Sequence, residues 1–330
     1  MKPLTITAIL IGPFSMLRAA GIHFDDATEQ AGLRAPLAGL MGHGGAWGDY
    51  DGDGRIDLFV GGFADRPDAE YAPAPAPVLN RLFRNEVGGK FATVNVPGIS
   101  VPARTSGAVF ADFDNNGTLE LYVANNAKKN SAKGPDKPAQ AQHSQLFRND
   151  AGNLVDISAA SGACPESMFT ARNVGVLDYD GDGLLDLLIV EDKFTRAPRS
   201  ILMRNLGGLK FADASEAAGL PSDIFGLGLA VADVNADGRP DFFVGHCNRL
   251  FLSQPGNRYR EAVELAAVFK HAPSNAEDWP CGAAFGDLNR DGRLDLVVSA
   301  HSLKARNRAF LNGGMKDGVL RFREDRKSVV

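Results

Sequence analysis

GDYDGDGRIDLFV occupies residues 48–60, and four other stretches align with it without a gap: ADFDNNGTLELYV (111–123), LDYDGDGLLDLLI (177–189), ADVNADGRPDFFV (232–244) and GDLNRDGRLDLVV (286–298). Their first acidic residues, Asp49, Asp112, Asp178, Asp233 and Asp287, are separated by 63, 66, 55 and 54 residues. Self-similarity at such a spacing marks a repeat architecture in which each unit is one supersecondary structure. Between the acidic stretches runs a second pattern: NRLFRNEVGGKF (80–91), SQLFRNDAGNLV (144–155), SILMRNLGGLKF (200–211), NRLFLSQPGNRY (248–259) and NRAFLNGG (307–314) continuing to Arg321 and Phe322. Each reads as strand, Asn/Gly turn, strand, the signal of a hairpin.

The unit therefore has four strands. The first enters the acidic loop, the second leaves it, and the third and fourth form the hairpin. Strands one and two carry few charges outside the loop, as suits the inner strands of a packed sheet. The predicted fold class is all-β: a β-propeller of four-stranded antiparallel blades with five repeats visible, either a closed five-bladed ring or part of a larger propeller. His23–Thr28 (HFDDAT) resembles the fourth-strand segments FATVN, LVDIS and FADAS and is surplus to the five units.

Each acidic loop follows D-x-[DN]-x-[DN]-G-x-x-[DE], with Gly54, Gly117, Gly183, Gly238 and Gly292 at position six. Side-chain oxygens at positions 1, 3, 5 and 9, with the backbone carbonyl of position 7, suit a hard cation taking six to eight oxygens, which points to calcium. The predicted ligands are Asp49, Asp51, Asp53, Arg55 and Asp57 in loop 49–57, and Asp112, Asp114, Asn116, Thr118 and Glu120 in loop 112–120. Loop 178–186 offers Asp178, Asp180, Asp182, Leu184 and Asp186, and loop 233–241 offers Asp233, Asn235, Asp237, Arg239 and Asp241. Loop 287–295 offers Asp287, Asn289, Asp291, Arg293 and Asp295. An EF-hand would close with a bidentate Glu at position 12, between helices. Position 12 here is Val60, Val123, Ile189, Val244 or Val298, which excludes that motif. Asp-Gly segments are ordinarily polar turns; five in register argue for a metal.

The loops hold 17 of the chain's 40 carboxylates, and against the other 23 stand 35 basic side chains. Five bound calcium ions would carry the formal charge from −5 to +5. Clustered like charges repel unless a cation sits among them, so the first and third loops, with four carboxylates each, are expected to depend on the ion most.

The rest of the composition is that of a globular chain: 330 residues, 44% hydrophobic, 23% charged, with 37 glycines to fill turns. No apolar run reaches the roughly 18–20 residues of a membrane helix. Residues 1–20, with Lys2, the apolar run Leu4–Gly12 and the small pair Ala19 and Ala20, read as a secretory signal peptide, a buried or frayed N-terminal segment being the alternative. The propeller then occupies residues 21–330. Cys164, Cys247 and Cys281 are too few for a disulfide framework and have no metal-like spacing. One bridge, Cys247 to Cys281, is the plausible pairing in an exported chain.

These repeats resemble the FG-GAP/VCBS repeats of integrin α-chain propellers and of bacterial surface and secreted proteins. GIHFDDATEQAGL, GDYDGDGRIDLFV and NRLFRNEVGGKF resemble in particular the cartilage-acidic-protein and UnbV-like group. The resemblance covers roughly residues 21–325 and implies a calcium-binding propeller, with adhesion and carbohydrate association among the roles of such proteins. Departures are the missing Phe-Gly and Gly-Ala-Pro words, Asn116 and Glu120 in the second loop, and five units where integrin-type propellers have seven.

Alternating strands put the acidic loops and hairpin turns on one face, and the more variable connections on the other. The variable face includes Ala72–Pro77, the segment 126–145 with Lys128, Lys129, Lys133 and Lys137, and the residues His43, His246, His301, Asp278 and Trp279. Trp279 is the best single candidate for stacking on a sugar. There is no GxSxG, HExxH, P-loop or SxxK segment, and Gly226-Leu-Gly228 reads as a turn entering the fourth unit rather than a nucleotide loop. The sequence thus predicts a secreted, periplasmic or cell-surface module that binds polysaccharide or protein, not nucleic acid, without a membrane span and with no catalysis. The alternative is a carbohydrate-active hydrolase or lyase with its site on the variable face.

Overall fold

Alternation of apolar side chains about each acidic loop yields five sheets of four strands, in a computed structural model that describes residues 24–40, 42–63, 78–126, 143–168, 170–192, 198–273, 278–301 and 305–325. The first sheet comprises β1 (Gly42–Gly48), β2 (Asp57–Gly62), β3 (Arg81–Glu86) and β4 (Lys90–Val94). The second is β5 (Thr105–Ala111), β6 (Glu120–Asn125), β7 (Gln145–Asp150) and β8 (Asn153–Asp156), and the third β9 (Ala171–Leu177), β10 (Asp186–Glu191), β11 (Ile201–Asn205) and β12 (Phe211–Asp213). The fourth is β13 (Gly226–Ala232), β14 (Asp241–His246), β15 (Arg249–Gln254) and β16 (Arg258–Glu261). The fifth is β17 (Pro280–Gly286), β18 (Asp295–Ala300), β19 (Arg308–Lys316) and β20 (Val319–Asp325). Every sheet is an antiparallel meander in chain order, so these are propeller blades, and the all-β reading stands.

The second strands are buried on both faces; all six residues of β6 and of β10 are inaccessible. Between the second and third blades lie Tyr122, Leu146, Leu187, Ile189 and Phe211. Between the third and fourth lie Leu188, Leu202, Phe242 and Phe251, and between the fourth and fifth Phe243, Leu250, Leu296 and Phe310. Because both faces of a blade are apolar, each blade needs a neighbour on either side. First strands pack successively, β1 on β5, β5 on β9, β9 on β13 and β13 on β17.

Glycine makes this approach possible. A Cβ placed on Gly44 would lie 2.8 Å from the Gly107 nitrogen, and one on Gly228 only 2.1 Å from the Cys281 carbonyl oxygen. Gly226 and Gly228 are therefore not a turn, as their spacing had suggested, but part of β13, with Gly228 placed where two backbones meet.

A buried asparagine at the end of the third strand bridges neighbouring blades. Asn149, Asn205 and Asn312 each donate through Nδ2 to the backbone oxygen of the second loop residue in the preceding blade, Tyr50, Phe113 and Val234, at 2.7–2.8 Å. The same amide also bonds within its own blade, to Leu119, Leu185 and Leu294. Asn205→Ala orphans two buried carbonyls and is expected to cost about 2 kcal/mol, measurable by urea unfolding; a change below about 0.5 kcal/mol would contradict this role.

Two sequence expectations meet corrections or limits here. No disulfide joins Cys247 to Cys281: Cys247 packs on the cluster between blades three and four, while Cys281 is in blade five, so the fourth sheet lies between them. The surplus segment at 24–28 enters no sheet. It leads into turns at 28–39 whose Ala31, Leu33 and Leu37 cover Leu58, Phe83 and Phe91 of the first blade. Phe91 N–H donates to the Ala31 oxygen at 2.9 Å, as Tyr259 N–H donates to Ala218 at 2.8 Å in the connection between blades three and four. Residues 1–20, His23, Ala72–Pro77 and the four lysines at 128–137 lie outside the described residues.

Candidate metal centre

All five acidic loops adopt one hydrogen-bonded form. The position-one carboxylates Asp49, Asp112, Asp178, Asp233 and Asp287 accept the backbone N–H groups of positions five and six at 2.7–3.1 Å. Position three (Asp51, Asp114, Asp180, Asn235, Asn289) accepts the position-five N–H at 2.9–3.3 Å. Position five accepts the N–H of position seven, from Arg55, Thr118, Leu184, Arg239 or Arg293. The glycine at position six has φ between +82° and +88°, a region that a side chain disfavours.

Position nine locks the loop into the blade. Asp57, Glu120, Asp186, Asp241 and Asp295 are wholly buried. One carboxylate oxygen accepts the N–H of the second loop residue at 2.9–3.1 Å. The other accepts an N–H from the third strand, at Asn85, Asn149, Asn205, Ser253 or Asn312. Loop geometry and strand pairing are thus fixed by one side chain.

In three loops the carboxylates converge, with one oxygen from each within 4.8 Å of the others: Asp49, Asp51 and Asp53; Asp112, Asp114 and Glu120; Asp178, Asp180 and Asp186. The fourth and fifth loops present the amide oxygens of Asn235 and Asn289 in place of one carboxylate. All donors are hard oxygens, the set a dication such as calcium takes. Arginine supplies part of the positive charge. Arg55, Arg239 and Arg293 pair with Asp53, Asp237 and Asp291 in their own loops, and Arg204 lies 2.6 Å from Asp180 and 3.2 Å from Asp182. Sequence reading missed these pairs, although arginine at position seven in three loops was visible.

Burial pushes Glu120, Asp186 and Asp241 up to about 7, against the pull of the backbone N–H donors and with a further push from neighbouring loop carboxylates. Asp57 is raised for the same leading reason. A carboxyl that holds its proton more tightly when folded stabilises the fold below the unfolded pKa and loses that contribution as pH rises through the folded value. In chelator, the melting temperature is therefore expected to fall between about pH 4 and about pH 7. Asp213 and Asp223, held low by hydrogen bonds and arginine, act in the opposite sense only below that window. A melting temperature that is flat or rises across it would contradict this electrostatic picture.

On the opposite face the predicted residues separate into pairs. His43 stacks on Phe63 at 4.1 Å, with Arg104 over the same ring at 4.3 Å and Arg172 at 5.8 Å. Arg172 also lies 3.7 Å from Asp192, which accepts from Asn126 at 3.1 Å. Trp279 packs on His301 at 4.6 Å, and Phe225 on His246 at 5.8 Å. His271 meets Asp278 at 3.2 Å. Among the described residues no three His, Cys, Asp or Glu side chains converge there as they do in the loops. A cavity of about 320 Å³ opens on this face, lined by His246, Arg249, Glu261, Phe269 and His271. Arg104, Arg172 and Phe63 escaped notice in the sequence because they come together from strand ends in three separate blades.

Residues 49–123 and 178–244 match the protein-family model described as FG-GAP-like repeat. Over 186 residues the chain is 27% identical to Cartilage acidic protein 1 of Homo sapiens and 29% identical to that of Mus musculus. Each alignment takes in 56% of this chain, and 25% and 26% of those proteins, so the chain spans about a quarter of the length of the curated relatives it matches. The crystal structure of the V. cholerae biofilm matrix protein Bap1 aligns over 84% of this chain and 38% of that one, with 16% identity and a TM-score of 0.42.

Proposed function

We propose that this chain, which carries FG-GAP-like repeats, is a calcium-stabilised binding and adhesion module, secreted, periplasmic or at the cell surface, that engages polysaccharide or protein on the face opposite its acidic loops. The observation that carries the reading is the division of labour between the two faces. Every acidic loop is hydrogen-bonded into its own blade through a buried position-nine carboxylate, which suits a structural ion. The opposite face gathers arginine, histidine and aromatic rings contributed by several blades, the chemistry that grips acidic or ring-shaped ligands.

In the loops, the side-chain oxygens at positions one, three, five and nine and the position-seven carbonyl would hold calcium, which supplies the positive charge that like-charged carboxylates need. Two carboxylates on the other face are held in ways that favour binding over hydrolysis. Glu191 accepts from Thr170 and the Arg199 N–H, and Asp192 from Asn126, so both serve the scaffold.

The test is surface binding of the calcium-loaded chain to panels of neutral and acidic polysaccharides and matrix proteins, comparing the wild type with Arg104→Ala. A bound ligand whose affinity falls at least about tenfold in the variant is the expected result. Binding that is insensitive to Arg104 but abolished by substitutions on the loop face would overturn the assignment of the face.

A further inference from the structure

The contacts that join one blade to the next repeat four times and then stop. The second loop residue is covered by the following blade at Tyr50, Phe113, Tyr179 and Val234, all 8% exposed or less, whereas Leu288 in the fifth blade is 51% exposed. A Cβ placed on Gly48 would lie 2.7 Å from Phe110 of the second blade; at the matching Gly286 nothing stands within 4 Å. Among the described residues β17 and β1 lack the packing that links every other successive pair of first strands. Among the described residues the five blades form an open arc.

The other end of the arc carries the complementary half. Trp47 holds the place that Phe110 holds in the second blade, yet it is 51% exposed. Asn85 holds the place of Asn149, Asn205 and Asn312, but among the described residues its amide donates only within its own blade, to Ile56 at 3.0 Å. Its Oδ1 is buried without a partner. The connection at 27–40 already lies on this face, bonded as in an internal junction.

We infer that two copies of this chain associate head to tail, the first blade of one seating on the open face of the fifth blade of the other. Trp47 packs on Gly286 and Leu288 of the neighbouring copy, and the Asn85 amide reaches the Leu288 carbonyl, reproducing the bond made three times within the chain. The neighbour's β20 already fills the fourth-strand place, so Phe24–Asp26 runs outside it. The contact is heterologous, the same patch never meeting itself, and it propagates to a ring or a filament according to its rotation.

The test is sedimentation velocity of the full chain with calcium over about 1–100 µM, a range that brackets ordinary specific association. The wild type is expected to gain mass with concentration. Trp47→Asp and Leu288→Asp, both at half-exposed positions, are each expected to weaken association at least about 100-fold, with unchanged circular dichroism. Mixed one to one, the two variants are expected to form a dimer and nothing larger, because each retains the end the other has lost. A monomeric wild type at the highest concentration, single variants that associate normally, or a mixture that stays monomeric would each overturn the inference.

Discussion

Chelating calcium at matched ionic strength is expected to lower the melting temperature of this chain by roughly 10–20 °C relative to about 10 mM calcium. The size follows from linkage. Loops with three or four carboxylates and no bidentate closing Glu belong to the weak class of calcium sites, with dissociation constants of about 0.1–1 mM. At about 10 mM ligand, each such site contributes about 1.4–2.7 kcal/mol, and five act together on a chain whose blades share walls. The position-nine carboxylates make the coupling direct: each bonds both the loop and the third strand, so a loop that opens loosens the strand pairing with it. Differential scanning with calcium, with chelator and with magnesium measures the effect. An unchanged melting point would mean that the loops stand as hydrogen-bonded turns without an ion.

Gly228→Val is expected to destabilise the fold by about 3 kcal/mol or more, the upper range for overpacking. The added Cβ would lie 2.1 Å from the Cys281 oxygen and 2.9 Å from the Ala283 nitrogen and the Gly282 carbonyl carbon. These are backbone atoms, which no rotamer change removes, so blades four and five must part. Valine otherwise suits a strand, so local preference does not add to the cost. Gly286→Val is the control, with no atom within 4 Å of the new Cβ and an expected change within about 0.5 kcal/mol. Urea unfolding of both well below about 1 µM, under the range in which copies are expected to associate, separates them; equal losses would show that the close approach is not what the glycine serves.

The acidic loops were legible in the sequence because everything that shapes them lies within nine residues: an acceptor at position one, a left-handed glycine at position six, a carboxylate at position nine. The hairpins were legible for the same reason, and the four-stranded unit followed. Contacts between blades were not. Gly228 looks like a turn residue until the neighbouring backbone is seen beside it, and Asn149, Asn205 and Asn312 look like hairpin punctuation, although their return at one offset was a usable signal. Cys247 and Cys281 fall at the same end of neighbouring blades, and only the intervening sheet shows why they do not bond. On the ligand face the histidines were individually visible, but Arg104 and Arg172 gain meaning from the shared ring of Phe63.

Successive packing that, among the described residues, does not join the last blade to the first turns stability into a row rather than a circle. In a row, an element is held by as many walls as it has neighbours. The third blade has two complete walls, while the fifth has one bare side and the first a partial cover of turns. Loosening therefore starts at the ends and works inward, and amide hydrogen exchange should be slowest in β10 and fastest in the terminal sheets. Heating such a row frays its end blades ahead of the main transition, so ions leave its loops in an order set by place in the row as much as by carboxylate count.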